Sequence, residues 1–430
     1  MALAPEHMKN KGLGRDFWLY RSGQLVSIVG DSCGMIALSW WILEATGSAA
    51  KMSSIIAPAM FARVILAPLL APLGDRLRRK NLIIAGDLWR GVLYLGLAAM
   101  AASGAFQLWL ILSLYMLSGA GSALFSAGAS GIVPSLVSRD DLQLAMQRTE
   151  AVNSVGQILG GAAGGLLVTA IGVPGALLLD SLSYFAAAAA SRAIKADTMP
   201  TGVPAGGSAL KNWAREFSGG VSAMGRVPVM LGIGIVAAFI NFAFAPIAIG
   251  LPVLVKELRN MPPWYLGAME SALSVGAILG SFAVGRLTRR LGADKLMVGG
   301  IMLLGVYLAL LPVAPDRLAP LLIMLLLGST MSVVNIPLNV RCTAAMPDNY
   351  RARMGGAMGF LCGVMAPLGV AAAGAAIAAF GLPYTFLISG IAAAALGPLL
   401  LLVPDFRQFL RLSEQEADGY FLRRYPSAFR

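Results

Sequence analysis

Long apolar runs alternate with short polar connections along almost the whole chain. Twelve runs are about 20 residues or longer, which is enough for a helix to cross the hydrocarbon core of a bilayer. They cover residues 17–44, 52–73, 81–103, 107–133, 149–172, 174–195, 228–255, 264–285, 294–313, 318–340, 354–380 and 382–404. The pattern predicts an all-α membrane protein with twelve transmembrane helices.

One connection, residues 196–227, is much longer than the others. It begins with Thr, Pro and Gly residues, which interrupt regular structure, and continues from Ser208 as an amphipathic segment typical of a membrane surface. We interpret it as a cytosolic linker. It would join an N-terminal six-helix bundle, residues 1–195, to a C-terminal six-helix bundle, residues 228–404.

The remaining residues, 405–430, form a polar tail with a few apolar positions. Phe406, Phe409 and Leu410 would share one face of a helix. We therefore predict a cytosolic amphipathic tail that lies on the membrane surface, although an irregular tail is the alternative.

Two short segments recur at about half the chain length. Residues 74–80 resemble residues 284–290, and residues 171–180 resemble residues 380–389, at offsets of 210 and 209 positions. Internal repeats of this kind are typical of transporters whose substrate site lies between the two repeats. The repeats predict two pseudo-symmetric bundles.

The charge of the chain follows this predicted topology. The chain is 57% hydrophobic and 13% charged, far from the roughly 45–50% and roughly 25% of soluble domains. Its net charge of +12 would suit a nucleic-acid partner. However, 27 of its 33 Lys and Arg residues fall on the predicted cytosolic side, 4 on the other side and 2 within spans. This asymmetry follows the positive-inside rule. It predicts cytosolic termini in a bacterial-type inner membrane and argues against nucleic-acid binding.

Two ionisable residues fall near the middle of adjacent spans. Asp31 is about 20 Å along the first span at about 1.5 Å per residue, and Arg63 is at a similar depth in the second. Charged groups are costly in hydrocarbon and are retained mainly for function or pairing. We predict either a proton-coupling pair that opens and closes or a static ion pair between the two helices.

Two further acidic residues are shallower. Glu270 in the eighth span and Asp180 in the sixth lie about two turns from the outer face. Each is a candidate for proton or cation binding, and the alternative is hydration at the outer rim.

A charged turn, residues 71–80, separates the second span from the third. It keeps an acid, Asp75, among its bases, whereas the second copy has Gly285 at the matching position. Asp87 and Arg90 share a helix face at the start of the third span. We predict a cytosolic gate made of Asp75, Arg76, Arg79, Lys80, Asp87 and Arg90.

The fifth span is rich in glycine at spacings of about four residues. Such spacing allows close helix packing and allows a helix to slide or bend as the two halves move. The residues concerned are Gly156, Gly160, Gly161, Gly164 and Gly165.

Enzymatic and metal chemistry find no support in the sequence. Residues 128–131 read Gly-Ala-Ser-Gly, as in intramembrane serine proteases, but the single histidine, His7, lies outside the spans and cannot be the general base there. No phosphate-binding loop and no cluster with metal-ligand spacing are present. We predict no enzyme activity, no metal and no cofactor.

The chain resembles the major facilitator superfamily over all twelve spans. Residues 71–80 resemble its G-x-x-x-D-R-x-x-R-R turn, with Ala71 in place of the first glycine and Arg78 in place of the usual second glycine. The fifth span resembles the antiporter motif G-x-x-x-G-P-x-x-G-G, with Gly161 in place of proline. The N-terminal half is most similar to the branch with macrolide-efflux proteins and the enterobactin exporter.

The resemblance implies a secondary exporter that works by alternating access. It would move an amphipathic small molecule, such as a drug or siderophore, in exchange for protons, as a monomer surrounded by lipid. A lysophospholipid transporter of the same fold and an uptake carrier are alternatives. A non-transporting membrane sensor is a further alternative, but no attached signalling domain is recognisable.

Overall fold

A computed structural model of the protein describes residues 13–200 and 209–429, which are almost entirely helical. In these residues eleven helices are long and apolar enough to cross a membrane. The longest, Leu142–Arg192, contains non-helical backbone at Gly172 and is therefore two spans. The twelve membrane helices are α1 (Arg15–Thr46), α2 (Ala49–Gly74), α3 (Arg79–Ala102), α4 (Leu108–Ala129), α5 (142–171), α6 (173–192), α7 (Pro228–Leu258), α8 (Pro263–Leu291), α9 (Ala293–Val313), α10 (Ala319–Ala345), α11 (Asp348–Phe380) and α12 (Leu382–Leu402).

Large apolar side chains cover the outside of this helical assembly. Trp109 is 77% exposed and Phe282 is 82% exposed. Contiguous apolar surface is unfavourable in water and favourable against lipid, while helices satisfy their own backbone hydrogen bonds. The chain is therefore a multi-pass membrane protein, and the predicted fold class is confirmed.

The helix ends follow local chemistry. Pro228 and Pro263 stand at the first positions of α7 and α8, where a missing N–H costs little. Gly47 ends α1 in a left-handed conformation, and its N–H bonds to the carbonyl of Leu43.

The two halves use the same helix pairing. In the first half α1 packs on α5, α2 on α4 and α3 on α6; in the second half α7 packs on α11, α8 on α10 and α9 on α12. Each second-half helix stands six places after its counterpart. The fold is thus two pseudo-symmetric six-helix bundles.

Only one of the two sequence repeats is also a structural repeat. Gly172 (φ 71°, ψ 178°) and Gly381 (φ 81°, ψ 164°) make the same break between consecutive helices. In contrast, α2 ends at Gly74, whereas the matching residues 284–290 are still inside α8. The basic turn is therefore a turn only in the first half.

The halves meet at one end of the assembly. We call the end with the α2–α3 turn the basic face and the other end the opposite face. Towards the opposite face Gly165 packs on Gly267, and Lys256 Nζ lies 3.6 Å from Glu44 Oε2. Towards the basic face, side chains added at Gly355 or Gly359 of α11 would meet open space. The structure is therefore closed at the opposite face and open towards the basic face.

A helix precedes the second bundle in the predicted linker. The linker helix, Ala209–Arg226, lies against the beginning of α11, where Glu216 is 3.9 Å from Arg353 and Phe217 contacts Phe360 edge to face. Its start at Ala209 agrees with the predicted start at Ser208, which lies outside the described residues.

The tail differs from the predicted surface helix. It forms the short helices Phe406–Arg411, Glu414–Ala417, Tyr420–Arg424 and Pro426–Phe429. Phe406, Phe409 and Leu410 are fully buried in the core of the second bundle. The expectation that this face lies on the membrane is wrong, because the face is covered by protein.

Candidate functional site

A cavity of ≈ 470 Å³ lies inside the first bundle. All six helices of that bundle contribute to its wall, which we call the N-half cavity. Its volume falls in the range of about 300–1,000 Å³ typical of small-molecule sites. Asp31 and Arg63, which the sequence singled out, both line it.

Asp31 in α1 is hydrogen-bonded to a tyrosine of α6, the last helix of the first bundle. The hydroxyl of Tyr184 in α6 donates a hydrogen bond to Asp31 Oδ1. The guanidinium of Arg90 lies 4.2 Å from the centre of the Tyr184 ring. The carboxylate therefore faces the cavity on one side and an ordered aromatic and cationic wall on the other.

Arg63 reaches the same cavity from α2 but does not form the predicted ion pair in this conformation. Its side chain is exposed, and no carboxylate of the described residues lies within 4.0 Å of it. Its backbone is packed close to Gly119 of α4. Asp31 and Arg63 thus share one cavity while only Asp31 has a side-chain partner.

Asp87 and Arg90 form a buried ion pair within α3. Their side chains are 0% and 7% exposed, and Arg90 also lies 4.8 Å from the ring centre of Phe125. They were expected beside the charged turn at the start of α3. This expectation is wrong: about two to three helical turns separate them from Arg79, and both face the interior of the bundle.

Asp180 is fully buried, not hydrated at a rim. It packs against Gly30 and Gly34 of α1, where the missing side chains make room for the carboxylate. Ser183 Oγ lies 3.5 Å from Oδ1, and Oδ2 has no hydrogen-bond partner among the described residues. It stands behind Asp31 in the bundle interior.

Glu270 lines a separate cavity of ≈ 250 Å³ between the two halves, the seam cavity. Ser32 and Gln157 come from the first half, and Ser274 and Glu270 from the second. Within the described part of the chain, Glu270 forms no salt bridge. It is thus placed at the contact between the two halves.

The glycines of α5 form two rows with different partners. Gly156, Gly160 and Gly164 face α1, where Ile28, Ser32 and Cys33 are their respective neighbours. The other row, Gly161 and Gly165, faces Ser271 and Gly267 of α8 in the other half. One row closes the bundle and the other forms the contact between the halves.

The charged turn is hydrogen-bonded to other segments of the first bundle. Arg79 Nη1 donates to the carbonyl of Gly131 at 2.8 Å, and Lys80 Nζ donates to the carbonyl of Ile194 at 2.9 Å. Asp75 and Arg76 are exposed at the basic face. In this conformation Arg79 and Lys80 therefore hold segments of the first bundle together.

Several cavity residues were not predicted from the sequence. Ser118, Ser122 and Ser126 form a hydroxyl row on α4, each with its hydroxyl bonded to a carbonyl of its own helix. Tyr94 and Tyr115 complete the wall. The spacing of four residues between these serines in an apolar span would have indicated a polar face of α4.

A third cavity opens sideways. The lateral groove, ≈ 680 Å³, lies between α2, α4 and α11 and is almost wholly apolar. Phe61, Met116 and Leu368 are among its lining residues. The groove lies where helices of the first bundle meet α11 of the second.

The sequence matches one family over most of its length. The profile described as Major Facilitator Superfamily matches residues 22–370. Macrolide efflux protein A of Streptococcus pyogenes is 20% identical over 300 residues, 70% of this chain and 73% of that protein. The multidrug efflux pump Tap of Mycolicibacterium fortuitum is 25% identical over 394 residues, 89% of this chain and 94% of that protein.

Solved structures agree on the fold. The nucleoside transporter NupG superposes with a TM-score of 0.71 at 13% identity, covering 90% of this chain and 99% of that chain. The family match and the similarity to macrolide efflux protein A confirm the predicted resemblance.

Proposed function

The chain belongs to the Major Facilitator Superfamily, and we propose that this transporter exports an amphipathic small molecule in exchange for protons. The observation that carries the proposal is Asp31, an acidic group at mid-membrane depth in the wall of a ligand-sized cavity. The names of the two efflux relatives support export as the direction.

The orientation follows from charge. The sequence assigns 27 of the 33 Lys and Arg residues to the side that bears the basic turn, so we place the basic face in the cytosol by the positive-inside rule. The structure is then an inward-facing state of a bacterial-type inner-membrane protein with cytosolic termini. Substrate would enter the N-half cavity from the cytosol.

Asp31 is proposed as the proton carrier, with Asp180 and Glu270 as further acidic groups. In the outward-facing state Asp31 would take a proton from the periplasmic side. In the inward-facing state it would release that proton to the cytosol while substrate binds in the same cavity. Tyr184, whose hydroxyl donates to the carboxylate in the described conformation, would orient it.

The gate is proposed on the basic face. Asp75 and Arg76, which are exposed when that face is open, would meet the second half when it closes. Arg79 and Lys80 would keep the turn rigid through their bonds to Gly131 and Ile194. The two glycine rows of α5 would allow the halves to rock about their common contact.

The energy of one proton is sufficient for such transport. A charge that crosses 100 mV contributes about 2.3 kcal/mol, whereas a tenfold gradient of a neutral substrate costs about 1.4 kcal/mol. One proton per cycle therefore drives modest accumulation, and a pH gradient adds to it.

Reconstituted vesicles test this proposal. The purified protein is placed in liposomes with an acidic, positive lumen, and uptake of rhodamine 123 and fluorescein through inside-out molecules is followed by fluorescence. We expect at least one dye to accumulate only when the gradient is imposed, and Asp31→Asn to abolish this accumulation. Asp348→Asn, at the exposed start of α11, is the control. Equal flux with and without the gradient would refute proton coupling, and gradient-driven loss from the lumen would indicate uptake.

A lysophospholipid transporter is a second candidate, favoured by the lateral groove between α2, α4 and α11. An acyl chain would fit such an apolar opening while its headgroup enters the cavity. Competition by lysophospholipid in the same vesicle assay, with a detergent of equal chain length as control, separates the two candidates.

A further inference from the structure

Arg63 lines the N-half cavity, and no carboxylate of the described residues lies within ion-pair distance of its side chain. It is the fifteenth residue of α2, about 21 Å from the start of the helix at about 1.5 Å per residue. Arginine stays protonated under all physiological conditions. A cation held at this depth is costly unless it meets an anion or water in a cavity.

The other two arginines of the N-half cavity have partners. Arg21 donates from Nη2 to the carbonyl of Thr149 at 3.1 Å and to Asn153 Oδ1 at 2.6 Å. Arg90 is paired with Asp87 and stacked on Tyr184. Arg63 differs from both because it is exposed in the cavity and its side chain has no hydrogen-bond or ion-pair partner among the described residues.

The surroundings of Arg63 are rich in hydroxyl groups. Gly119 brings α4 close to the Arg63 backbone, since a Cβ there would lie 3.5 Å from Arg63 N. Ser118 and Ser122 flank that glycine, and Tyr115 lies one turn away; all three line the cavity. Their hydroxyls bond to helix carbonyls or face the cavity, and a serine hydroxyl can turn to donate to a ligand.

We propose that Arg63 binds an anionic group of the transported substrate, with hydroxyls of α4 as additional donors. A guanidinium offers two parallel N–H groups that match a carboxylate, sulfonate or phosphate oxygen pair. The tyrosines of the wall would contact the apolar part. The inference rests on the proposed function and names its substrate class: amphipathic anions.

Equilibrium binding tests the inference independently of transport. Two xanthene dyes of similar size serve as probes, fluorescein as the anion and rhodamine 123 as the cation, with the protein in nanodiscs of neutral lipid. We expect saturable fluorescein binding that weakens by about tenfold or more in Arg63→Gln, because a hydrogen bond to a charged group is lost. Arg63→Lys should retain part of it, and Lys51→Gln, in the same helix outside the cavity, should retain all of it.

Two results would overturn the inference. One is that fluorescein fails to bind the unmodified protein; the other is that Arg63→Gln leaves its affinity unchanged. Displacement of fluorescein by lysophosphatidylglycerol that depends on Arg63 would support the same chemistry with a lipid as its source. The proposed export function fails separately, in the vesicle assay, if fluorescein binds through Arg63 but neither dye crosses the membrane under the gradient.

Discussion

Tyr184 in α6 donates a hydrogen bond to Asp31 in α1, and the two residues are 153 positions apart in the chain. The bond joins the first and last helices of the N-terminal bundle at the wall of the N-half cavity. It also gives a half-buried carboxylate the donor that burial requires. The bond is therefore both part of the fold and part of the candidate site.

Removal of this donor should destabilise the bundle. In Tyr184→Phe the ring and its contact with Arg90 remain, but Asp31 loses its hydrogen bond at a cost of about 1–3 kcal/mol. We expect a lower melting temperature of the purified protein in detergent. Tyr307→Phe, in α9, is the control, because no described residue bonds to its hydroxyl. Equal melting temperatures of the two variants would contradict the prediction.

The contact between the halves should depend on Gly267. A leucine side chain there would collide with the backbone of Gly161 and Gly165, so Gly267→Leu should favour the state open at the opposite face. Spin labels at positions 51 and 317, in a variant without its three cysteines, should then move apart. Gly285→Leu in the same helix meets open space and should leave the distance unchanged. An unchanged distance in Gly267→Leu would refute the closure.

The gate hypothesis is tested at Asp75. Asp75→Asn should slow transport severalfold without weakening substrate binding, because Asp75 lies at the basic face outside the cavity. Turnover in vesicles and affinity in nanodiscs are measured on the same preparation. Asp140→Asn, another exposed acid at that face, serves as control. Weaker binding in Asp75→Asn would instead assign the residue to the substrate site.

Asp87 and Arg90 should act as a structural pair. Loss of one partner leaves a buried charge, so Arg90→Met should cost about 3–5 kcal/mol, and the double variant with Asp87→Leu should recover most of it. A double-mutant cycle in denaturant measures the coupling energy. If Asp87→Asn kept full stability and only slowed transport, the earlier assignment to the gate would be restored.

The tail should loosen at acidic pH. The hydroxyl of Tyr425 donates to Asp405 Oδ2 at 2.5 Å and, with Arg424, lowers the pKa of Asp405. Because the pKa of Asp405 is lower in the folded tail than in the unfolded chain, its ionised carboxylate stabilises the tail at pH values above the unfolded pKa of about 3.9. This stabilisation is lost as the pH falls through the folded pKa. Asp405→Asn should mimic that loss at neutral pH, with faster trypsin cleavage at Arg424. Asp418→Asn is the control, and equal cleavage in both variants would contradict the assignment.

The sequence predicts the fold well because hydrophobic length determines which segments cross a membrane. The twelve runs correspond to the twelve membrane helices, and Gly172 and Gly381 repeat in both sequence and backbone geometry. The basic turn was a poorer guide to symmetry. A cluster of charged residues indicates the membrane face, but it does not show whether the helix ends there. Residues 284–290, which match the basic turn, are still helical in α8.

The site was only partly predictable, since charge partners depend on how helices are rotated. Asp31 and Arg63 line one cavity, but the partner of Asp31 comes from α6 instead of α2. Asp180 looked shallow by residue count, yet Gly30 and Gly34 admit it to the interior. Depth follows from position in a helix, whereas pairing requires the packing of all six helices.

The break at Gly172 has a mechanical consequence. It is the single residue between α5, which bears Gly161 and Gly165 at the contact between halves, and α6, which bears Asp180 and Tyr184. Because only one residue connects the two helices, α5 cannot be displaced far without moving α6. If α5 were displaced along α8, α6 would move with it and the geometry around Asp31 would change. The contact between the halves and the acidic residues of the first bundle are thereby joined through one residue.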